Sequence, residues 1–426
     1  LQRDGARVVV RDEGDSEELA ERANRLRQLG VRVELGNRFD VSAHFDLAVL
    51  SPGIAPGRPF VAALGQTPVL GELELAYRYC LCPIVAVTGT NGKTTTTELI
   101  HAMLESAGKR TVAAGNIGHA FSFAVEQSAG LDALVLETSS FQLEQIEQFR
   151  PDVAIWLNLT PDHIDRHGSM DKHAAAKARI FENQTRQDFA IVSPQVLAWM
   201  NKVGCQPKSR VVTISAYGQE ADLWVDWVDG QTIWCRLPEC NGIVMKMDET
   251  NLRGLHNAEN ILATIAAGLA MKLPVAAIRE AICAYCPQPL RCEVVAAKDG
   301  VTFINDSKAT NVDAVEKALR ALPGPVVLIA GGRDKGLNFS SLKEVVAQKV
   351  KLAVLIGESQ DKLDAAWGDV TPCERAFTMN EAVRVAASHA GSGDTVLLSP
   401  ACASFDMFQN YEHRGDEFKR EVLTLL

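Results

Sequence analysis

The sequence lacks any apolar run long enough to cross a bilayer as a helix. The longest candidate, residues 261–271, contains Thr264 and Gly268 and falls short of the roughly 18 apolar residues that a span needs. The amino-terminal residues 1–5 are polar, so no signal peptide is predicted. We therefore expect a cytoplasmic protein with no membrane partner.

Positive charge is also scarce. The 426 residues include 43 Lys and Arg against 53 Asp and Glu, which gives a net charge of −10. Broad nucleic-acid binding requires a cationic surface and is not expected here, so any anionic ligand must meet local positive charge. The ten cysteines are scattered and do not form a disulfide framework, which is typical of reduced thiols in a cytoplasm.

Alternation of apolar strand-like runs with helical stretches predicts an α/β protein with mostly parallel sheets. The length favours several domains. We predict three: a Rossmann-like domain at 1–72, a central domain of the P-loop ATPase type at 73–287, and a second Rossmann-like domain at 288–426. The pattern predicts that the first starts at the end of a helix, without the strand and Gly-rich turn that usually open such a domain, so we expect it to be incomplete at its amino end.

The spacing of apolar residues predicts the following strands and helices. Strands are predicted at 8–10, 31–35, 47–50, 84–88, 131–137, 153–158, 190–193, 211–214, 301–305, 326–330, 352–356 and 395–399. Helices are predicted at 16–29, with Ser16 as its N-cap, and at 94–108 and 257–271. Residues 221–247 predict a β-ribbon.

The strongest chemical signal is the segment 87–95, Val-Thr-Gly-Thr-Asn-Gly-Lys-Thr-Thr, between a buried strand and a helix. Glycines there let backbone N–H groups approach phosphates, and the helix N-terminus adds positive potential. Lys93 would neutralise phosphate charge and Thr94 would reach Mg²⁺. The spacing departs from the usual P-loop, because Val87 stands where the first glycine belongs.

Acidic and polar side chains follow the next two predicted strands. Glu137 ends one apolar strand and is a candidate metal ligand beside the loop. Residues 158–167 follow the next strand, where His163 could bind a second Mg²⁺ with support from Asp162 and Asp165. Lys177 lies on a later helix and, from the residues alone, is interpreted as a solvated lysine.

Three polar segments follow strands of the last domain. They are 305–311, 331–335 and 398–406. Because the carboxyl ends of parallel strands share one edge of a sheet, we expect all three to lie together. Lys308 and Lys335 are natural partners for carboxylates or phosphate.

Taken together, these segments resemble the motifs of the Mur ligases. The matching segments are 51–54, 71–75, 88–94, 115–118, 137–144, 162–166, 176–179, 305–311 and 399–406. The phosphate loop is shared across that family and with folylpolyglutamate synthetases. The last two segments and the run Ser-Ser-Phe-Gln-Leu are more typical of the D-glutamate-adding branch, and the Asp-Asn-Pro-Arg signature of the diaminopimelate- or lysine-adding branch is missing.

The resemblance implies a monomeric three-domain ligase. Such an enzyme joins D-glutamate to UDP-N-acetylmuramoyl-L-alanine through an acyl phosphate, uses ATP and two Mg²⁺ ions, and serves peptidoglycan precursor synthesis. The amino-terminal domain would hold the uridine nucleotide, the central one ATP, and the last one the amino acid. The family's uridine-binding Gly-rich turn has no counterpart in this sequence.

The resemblance also implies roles for individual residues. The ATP set is Gly89, Thr90, Asn91, Gly92, Lys93, Thr94, Thr95, Asn260, Arg291 and Asp306. The metal set is Thr94, Glu137, His163 and a carbamylated Lys177, and Lys93, Glu137, His163 and Lys177 form the catalytic set. The substrate set is Asn116, Ser139, His163, Lys308, Thr310, Lys335, Ser404 and Tyr411.

Three other functions fit parts of the same pattern. One is a different Mur-type or folylpolyglutamate-type ligase, which an amino-acid panel would distinguish. Another is a P-loop ATPase that acts as a switch or binding module and needs no amino acid. The last is an inactive product of an incomplete chain.

Overall fold

The computed structural model describes residues 1–36, 44–54, 57–162, 164–218, 221–228, 230–252, 254–285, 290–322 and 324–425. His163 and the predicted domain limit at 287/288 lie outside these residues. No helix within the described ranges is long and apolar enough to cross a membrane.

The N-terminal segment forms two small sheets among its described residues. Its elements are β1 (Val9–Asp12), α1 (Glu17–Gln28), β2 (Arg32–Leu35), β3 (Ala48–Leu50), α2 (Pro59–Ala62) and β4 (Val69–Gly71). β1 pairs in parallel with β2, and β3 with β4. Ser16 caps α1 as predicted, since its Oγ accepts the N–H of Leu19 at 3.3 Å.

The middle sheet is the largest and is mostly parallel. Its strands are β5 (Ile84–Thr88), β6 (Thr111–Gly115), β7 (Ala133–Glu137), β8 (Val153–Trp156), β9 (Phe189–Val192), β10 (Arg210–Ser215), β11 (Leu223–Asp226), β12 (Thr232–Cys235) and β13 (Gly242–Lys246). Their order across the described part of the sheet is β13-β12-β11-β10-β9-β8-β5-β7-β6. The last pairs, β11 with β12 and β12 with β13, are antiparallel and form the predicted ribbon.

Helices cover both faces of the middle sheet, so β5 at its centre is buried throughout. The helices of this part are α3 (Glu72–Tyr77), α4 (Lys93–Ser106), α5 (Phe121–Ala124), α6 (Ser140–Leu143), α7 (Ile164–His167), α8 (Met170–Ala178), α9 (Pro194–Lys202), α10 (Leu255–Ala270) and α11 (Val275–Ala284). The apolar α10, mostly buried, packs against α4. Its burial explains its apolar composition.

The C-terminal sheet has the described order β14-β15-β19-β16-β17-β18. Its elements are β14 (Glu293–Lys298), β15 (Val301–Asn305), α12 (Val312–Ala321), β16 (Val326–Gly331), α13 (Lys343–Lys349), β17 (Val350–Ile356), α14 (Gln360–Trp367), β18 (Cys373–Arg375), α15 (Met379–His389), β19 (Thr395–Leu398) and α16 (Tyr411–Leu425). β15, β19 and β16 are adjacent and parallel. The three polar segments that follow them therefore lie at one edge, as expected.

Short 3-10 helices complete the secondary structure. They span Gln2–Asp4, Val125–Gly130, Arg179–Phe181, Pro238–Cys240, Met247–Glu249 and Phe339–Leu342.

The α/β class and every predicted strand are confirmed. Sequence patterns missed β4, β6, β14 and β18, which are short, partly exposed or at sheet edges, so their residues carry little apolar signal. The limits of the three domains remain a prediction.

A buried carboxylate fastens α3 to the segment that follows α6. Glu74 is fully buried, and its Oε2 accepts the backbone N–H groups of Glu147, Gln148 and Phe149 at 2.8, 3.0 and 3.0 Å. Arg78 Nε donates to the other carboxylate oxygen at 3.1 Å. One side chain thus satisfies three consecutive backbone donors.

We expect Glu74→Ala to lower the free energy of unfolding by about 3 kcal/mol, because it leaves those donors without an acceptor. Glu74→Gln keeps one oxygen, so its free energy of unfolding should lie between those of Glu74→Ala and the wild type. Chemical denaturation measures the change, with Glu105→Ala on an exposed part of α4 as the control. Equal stability of Glu74→Ala and Glu105→Ala would contradict this role.

Candidate active site

The loop between β5 and α4 has the backbone of a phosphate-binding turn. Gly92 precedes α4 with φ of +83°, and a Cβ there would lie 2.3 Å from Asn260 Oδ1. Only glycine meets both the conformation and the space. The 14-residue α4 begins at Lys93, so the free N–H groups of its first turn face the loop.

Asn158 holds this loop in place. Its Oδ1 accepts the N–H of Asn91 at 3.0 Å, its Nδ2 donates to Asn91 O at 3.2 Å, and its own carbonyl accepts the N–H of Thr90 at 3.1 Å. Sequence analysis gave Asn158 no role, although its place just beyond an apolar strand was a signal. These three hydrogen bonds therefore fix the shape of the loop.

Two lysine amines meet at one carbonyl of the loop. Lys93 Nζ donates to Gly89 O at 3.0 Å and to Thr90 O at 2.9 Å, and Lys177 Nζ donates to Gly89 O at 2.8 Å. Burial lowers the pKa of Lys93. Burial, and then the positive charge of Lys93, lower the pKa of Lys177 well below its ordinary value.

The interpretation of Lys177 as a solvated lysine is wrong. Its side chain is 3% exposed, because α8 packs this residue toward the loop rather than toward solvent. The composition of α8, Met-Asp-Lys-His-Ala-Ala-Ala-Lys-Ala, has no strong apolar face that would have indicated the burial.

Glu137 lies beside the loop, as expected from its place at the end of β7. Its Oε2 accepts the hydroxyl of Thr94 at 2.7 Å, and its Oε1 accepts Asn116 Nδ2 at 2.8 Å. Glu137 and Thr94 are both buried. The two members of the predicted metal set, Thr94 and Glu137, thus form one hydrogen-bonded group with Asn116 of the predicted substrate set.

Ser139 is the N-cap of the short helix α6, close to this group. Its Oγ accepts the N–H of Gln142 at 3.3 Å, and Gln142 Oε1 accepts the N–H of Ser139 at 2.9 Å. This reciprocal cap fixes the backbone directly after Glu137 and Thr138.

A cavity of about 420 Å³ lies between α10 and the C-terminal sheet, next to the loop. Among its lining residues are Asn91, Gly92, Thr95, Asn260, Arg291, Asp306 and Lys308 from the sequence-predicted sets. Sequence analysis missed His256, Asn257 and Glu259, which also line it. All three lie on the first turns of α10, where the predicted helix gave no reason to select them.

Asp306 is held in this cavity by two donors. Ser399 Oγ donates to its Oδ2 at 2.8 Å and the N–H of Cys292 to its Oδ1 at 3.3 Å. Burial nevertheless dominates and raises the pKa of Asp306 to about 7. The carboxyl group therefore gains or loses its proton near neutrality.

The remaining substrate-set residues gather at the C-terminal sheet edge. Lys308 Nζ lies 5.1 Å from the ring centre of Tyr411, and burial lowers the pKa of Lys308 to about 8. Ser404 is buried and Thr310 is half-buried. Lys335 Nζ lies 3.7 Å from Asp162 Oδ1, so this edge faces the middle sheet.

Arg414 fastens two of the three polar segments together and was missed by sequence analysis. It is fully buried on α16. Its Nη1 donates to Cys402 O at 3.0 Å, its Nη2 to Ser307 O at 2.7 Å and its Nε to Ser307 Oγ at 3.0 Å. A fixed fork of donors explains why arginine suits this position.

A direct contact joins the phosphate loop to the C-terminal sheet. Asn91 Nδ2 donates to Asp313 of α12, and Asn311 Nδ2 donates to Asn91 Oδ1 at 3.3 Å. Lys317 Nζ lies 3.1 Å from Asp313 Oδ2. The two sides of the cavity are thus connected through the loop itself.

Two family models match this architecture. The Mur ligase middle domain matches residues 87–268, and the Mur ligase glutamate ligase domain matches residues 290–402. The chain belongs to the Mur ligase family. The matched ranges include the phosphate loop, Glu137, Lys177 and the segment around Lys308, so the family's middle and C-terminal parts carry the geometry described above.

Named relatives of this Mur ligase are similar over its full length. It is 42% identical to the UDP-N-acetylmuramoylalanine–D-glutamate ligase of Koribacter versatilis, with 99% of this chain and 93% of the relative covered. It is 44% identical to the enzyme of that name from Pelotomaculum thermopropionicum, with 100% and 94% covered.

Solved structures of other family members share the fold. The UDP-N-acetylmuramate–alanine ligase of Thermotoga maritima has a TM-score of 0.62 at 17% identity, with 100% of this chain and 95% of that chain covered. The MurF ligase of the same organism, solved in complex with ADP, has a TM-score of 0.64 at 16% identity and covers 91% and 98%.

The protonation of Asp306 gives a prediction about stability and pH. Its pKa is about 7 when folded, and about 4 in an unfolded chain. The folded state therefore binds the proton more tightly, and the stability gained below about pH 4 is lost as the pH rises through 7. We expect Asp306→Asn to lose less stability than the wild type between those values.

Denaturation at a series of pH values measures this difference. Asp361→Asn, on an exposed carboxylate of α14, is the control and should follow the wild type. If the Asp306→Asn and wild-type curves run parallel, Asp306 does not retain its proton as described.

Proposed function

We propose that this protein is an ATP-dependent ligase that adds D-glutamate to UDP-N-acetylmuramoyl-L-alanine, a step of peptidoglycan precursor synthesis. The relatives with this name are about 40% identical to the chain over nearly its whole length. The observation that carries the proposal is that Lys93 Nζ and Lys177 Nζ both donate to the carbonyl oxygen of Gly89, in the loop that precedes α4. Glu137 and the cavity of about 420 Å³ lie beside this loop.

The cavity and the loop together suit a nucleoside triphosphate. The first turn of α4 offers backbone N–H groups to phosphates. The Lys93 amine, which donates to two carbonyl oxygens of the loop, would instead bind the charged phosphate oxygens. Asn260, Arg291 and Asp306 line the deeper cavity, where they would contact the nucleoside. Gly89, Thr90, Asn91, Gly92 and Thr95 complete the proposed ATP site.

The residues beside the loop fit Mg²⁺. The described residues contain no cluster of three or more His, Cys, Asp or Glu side chains that could hold a metal. Mg²⁺ does not require one, because it keeps several waters and commonly takes one or two carboxylates together with substrate phosphates. Thr94 and Glu137 would hold the first ion, which would neutralise phosphate charge when bound.

Carbamylation of Lys177 would supply a second acidic group. The lowered pKa favours the neutral form of its amine, and a neutral amine adds to CO₂ with loss of one proton. The product is an anion next to Lys93, so the positive charge that disfavours a protonated Lys177 would stabilise its carbamate. We propose that this carbamate and His163 serve a second Mg²⁺.

The other two substrates would approach from opposite sides of the loop. Asn116 and Ser139, near Glu137, are placed for the muramoyl-alanine part, together with His163. Lys308, Thr310, Lys335, Ser404 and Tyr411 line the facing edge and would surround D-glutamate. Two lysines at that edge suit an amino acid with two carboxylates.

The reaction requires a poor electrophile to be activated. The terminal phosphoryl group of ATP passes to a carboxylate oxygen of the UDP-linked acid, and ADP leaves. The deprotonated amine of D-glutamate then attacks the carbonyl carbon, phosphate leaves with the C–O bond electrons, and the proton lost by the nitrogen passes to the phosphate or to solvent. Lys93 offsets the repulsion between the reacting anions, while the loop and the facing edge hold the reactants in position.

The roles of the domains, the oligomeric state and the location belong to the same proposal. The domains 1–72, 73–287 and 288–426 would bind the uridine nucleotide, ATP and the amino acid in that order. The protein would act as a monomer in the cytoplasm, where ATP is available.

Product formation with omitted substrates tests the function. We expect sustained ADP release over many turnovers only when ATP, Mg²⁺, UDP-N-acetylmuramoyl-L-alanine and D-glutamate are all present, and no comparable rate with L-alanine, L-lysine or L-glutamate. Lys93→Ala should abolish ADP release, because the phosphate charge is no longer offset, whereas Lys109→Ala on an exposed residue should not. ADP release at the same rate without an amino acid would contradict ligase activity.

A separate prediction concerns Lys177. We expect Lys177→Ala to lose most activity and to recover part of it with added short carboxylic acids, which would occupy the space of the carbamate. Lys172→Ala, on the exposed face of the same helix, is the matched control and should keep activity without rescue. Normal turnover of Lys177→Ala without additives would rule out the carbamate role.

A further inference from the structure

Two thiols lie side by side in a part of the molecule that the proposed reaction does not use. The Sγ atoms of Cys80 and Cys82 are 3.9 Å apart. Both residues belong to the connection between α3 and β5, and both side chains are half-buried against the apolar core of the middle sheet. A small approach of the two sulfur atoms would bring them to bonding distance.

The backbone of this connection can accommodate such an approach. Residues 80–83 form neither helix nor strand, and Leu81 between the thiols is 76% exposed. The N–H of Leu81 is anchored to Ser128 Oγ at 3.2 Å. Both cysteines thus lie outside the helices and strands, in a segment that reagents in solvent can reach.

The two thiols also differ chemically. The hydrogen bond between the two thiols lowers the pKa of Cys80 to about 7. The same pairing, together with burial, raises the pKa of Cys82. One thiol is therefore partly ionised near neutrality and acts as the nucleophile, while its neighbour stays protonated.

We propose that Cys80 and Cys82 form a reversible dithiol site that hydroperoxides oxidise to a disulfide. The Cys80 thiolate attacks the peroxide oxygen, the O–O bond breaks, and the alkoxide or hydroxide leaves and takes up a proton. This gives a sulfenic acid at Cys80. The Cys82 sulfur then attacks the Cys80 sulfur, its proton is lost, and the S–OH oxygen leaves as water. The peroxide is reduced by two electrons and the two thiols are oxidised by the same number.

The other described cysteines are less suited to this chemistry. Burial raises the pKa of Cys205, Cys373 and Cys402 to about 11. Cys235 has a neighbour in Cys240, but it is 1% exposed in the core of the middle sheet and burial raises its pKa to about 12. The Cys80–Cys82 pair combines closeness with access to solvent.

Mass mapping after treatment of the full chain with hydrogen peroxide tests the proposal. We expect the peptide that contains both residues to lose the mass of two hydrogen atoms before any other cysteine is modified, and to regain it with dithiothreitol. The rate should rise between about pH 6 and 8, following ionisation of Cys80.

Matched single variants separate the two roles. In Cys82→Ser, a sulfenic acid should accumulate at Cys80 and react with a 1,3-diketone probe. In Cys80→Ser, Cys82 should react at least tenfold more slowly. Cys205→Ser is the control and should form the disulfide like the wild type. First oxidation at another cysteine, or equal labelling of the two single variants, would overturn the proposal.

Discussion

The carbonyl oxygen of Gly89 accepts hydrogen bonds from two lysine amines, and this arrangement constrains the rest of the site. Burial lowers the pKa of Lys93 and of Lys177, and repulsion from Lys93 lowers the pKa of Lys177 further. An anion beside the loop would relieve this repulsion. A polyphosphate next to Lys93 and a carbamate on Lys177 would each supply negative charge where the fold has concentrated positive charge.

The phosphate loop also joins the parts of the molecule. Asn158 fixes Asn91 and Thr90 from the middle sheet, while Asp313 and Asn311 contact Asn91 from the C-terminal side. A nucleotide on this loop would therefore lie against residues of both sheets. The fold thus places the nucleotide cavity and the Lys308 edge close to each other, which a reaction with three substrates requires.

Sequence patterns located the loop and its neighbours because each lies at the end of an apolar strand. β5, β7 and β8 are continuous buried runs, so Lys93, Glu137 and Asn158 follow from the topology of a parallel sheet. The family resemblance supplied the role of Lys177, which the residues of α8 alone do not indicate.

Other features depend on contacts between distant segments and have no local signal. Asp313 lies 222 positions from Asn91, and Arg414 lies 107 positions from Ser307. Neither pair has a periodicity or motif that could reveal it. The short strands β14 and β18 form because neighbouring strands offer hydrogen bonds, and their own residues are too exposed to predict them.

The central claim is that the positive charge of Lys93, held next to Gly89, lets a phosphoryl group pass from ATP to a bound carboxylate. Heavy oxygen placed in the carboxylate of UDP-N-acetylmuramoyl-L-alanine tests it most directly. The account predicts that a labelled oxygen appears in the phosphate released during a full reaction with D-glutamate. Release of unlabelled phosphate alongside amide product would contradict it.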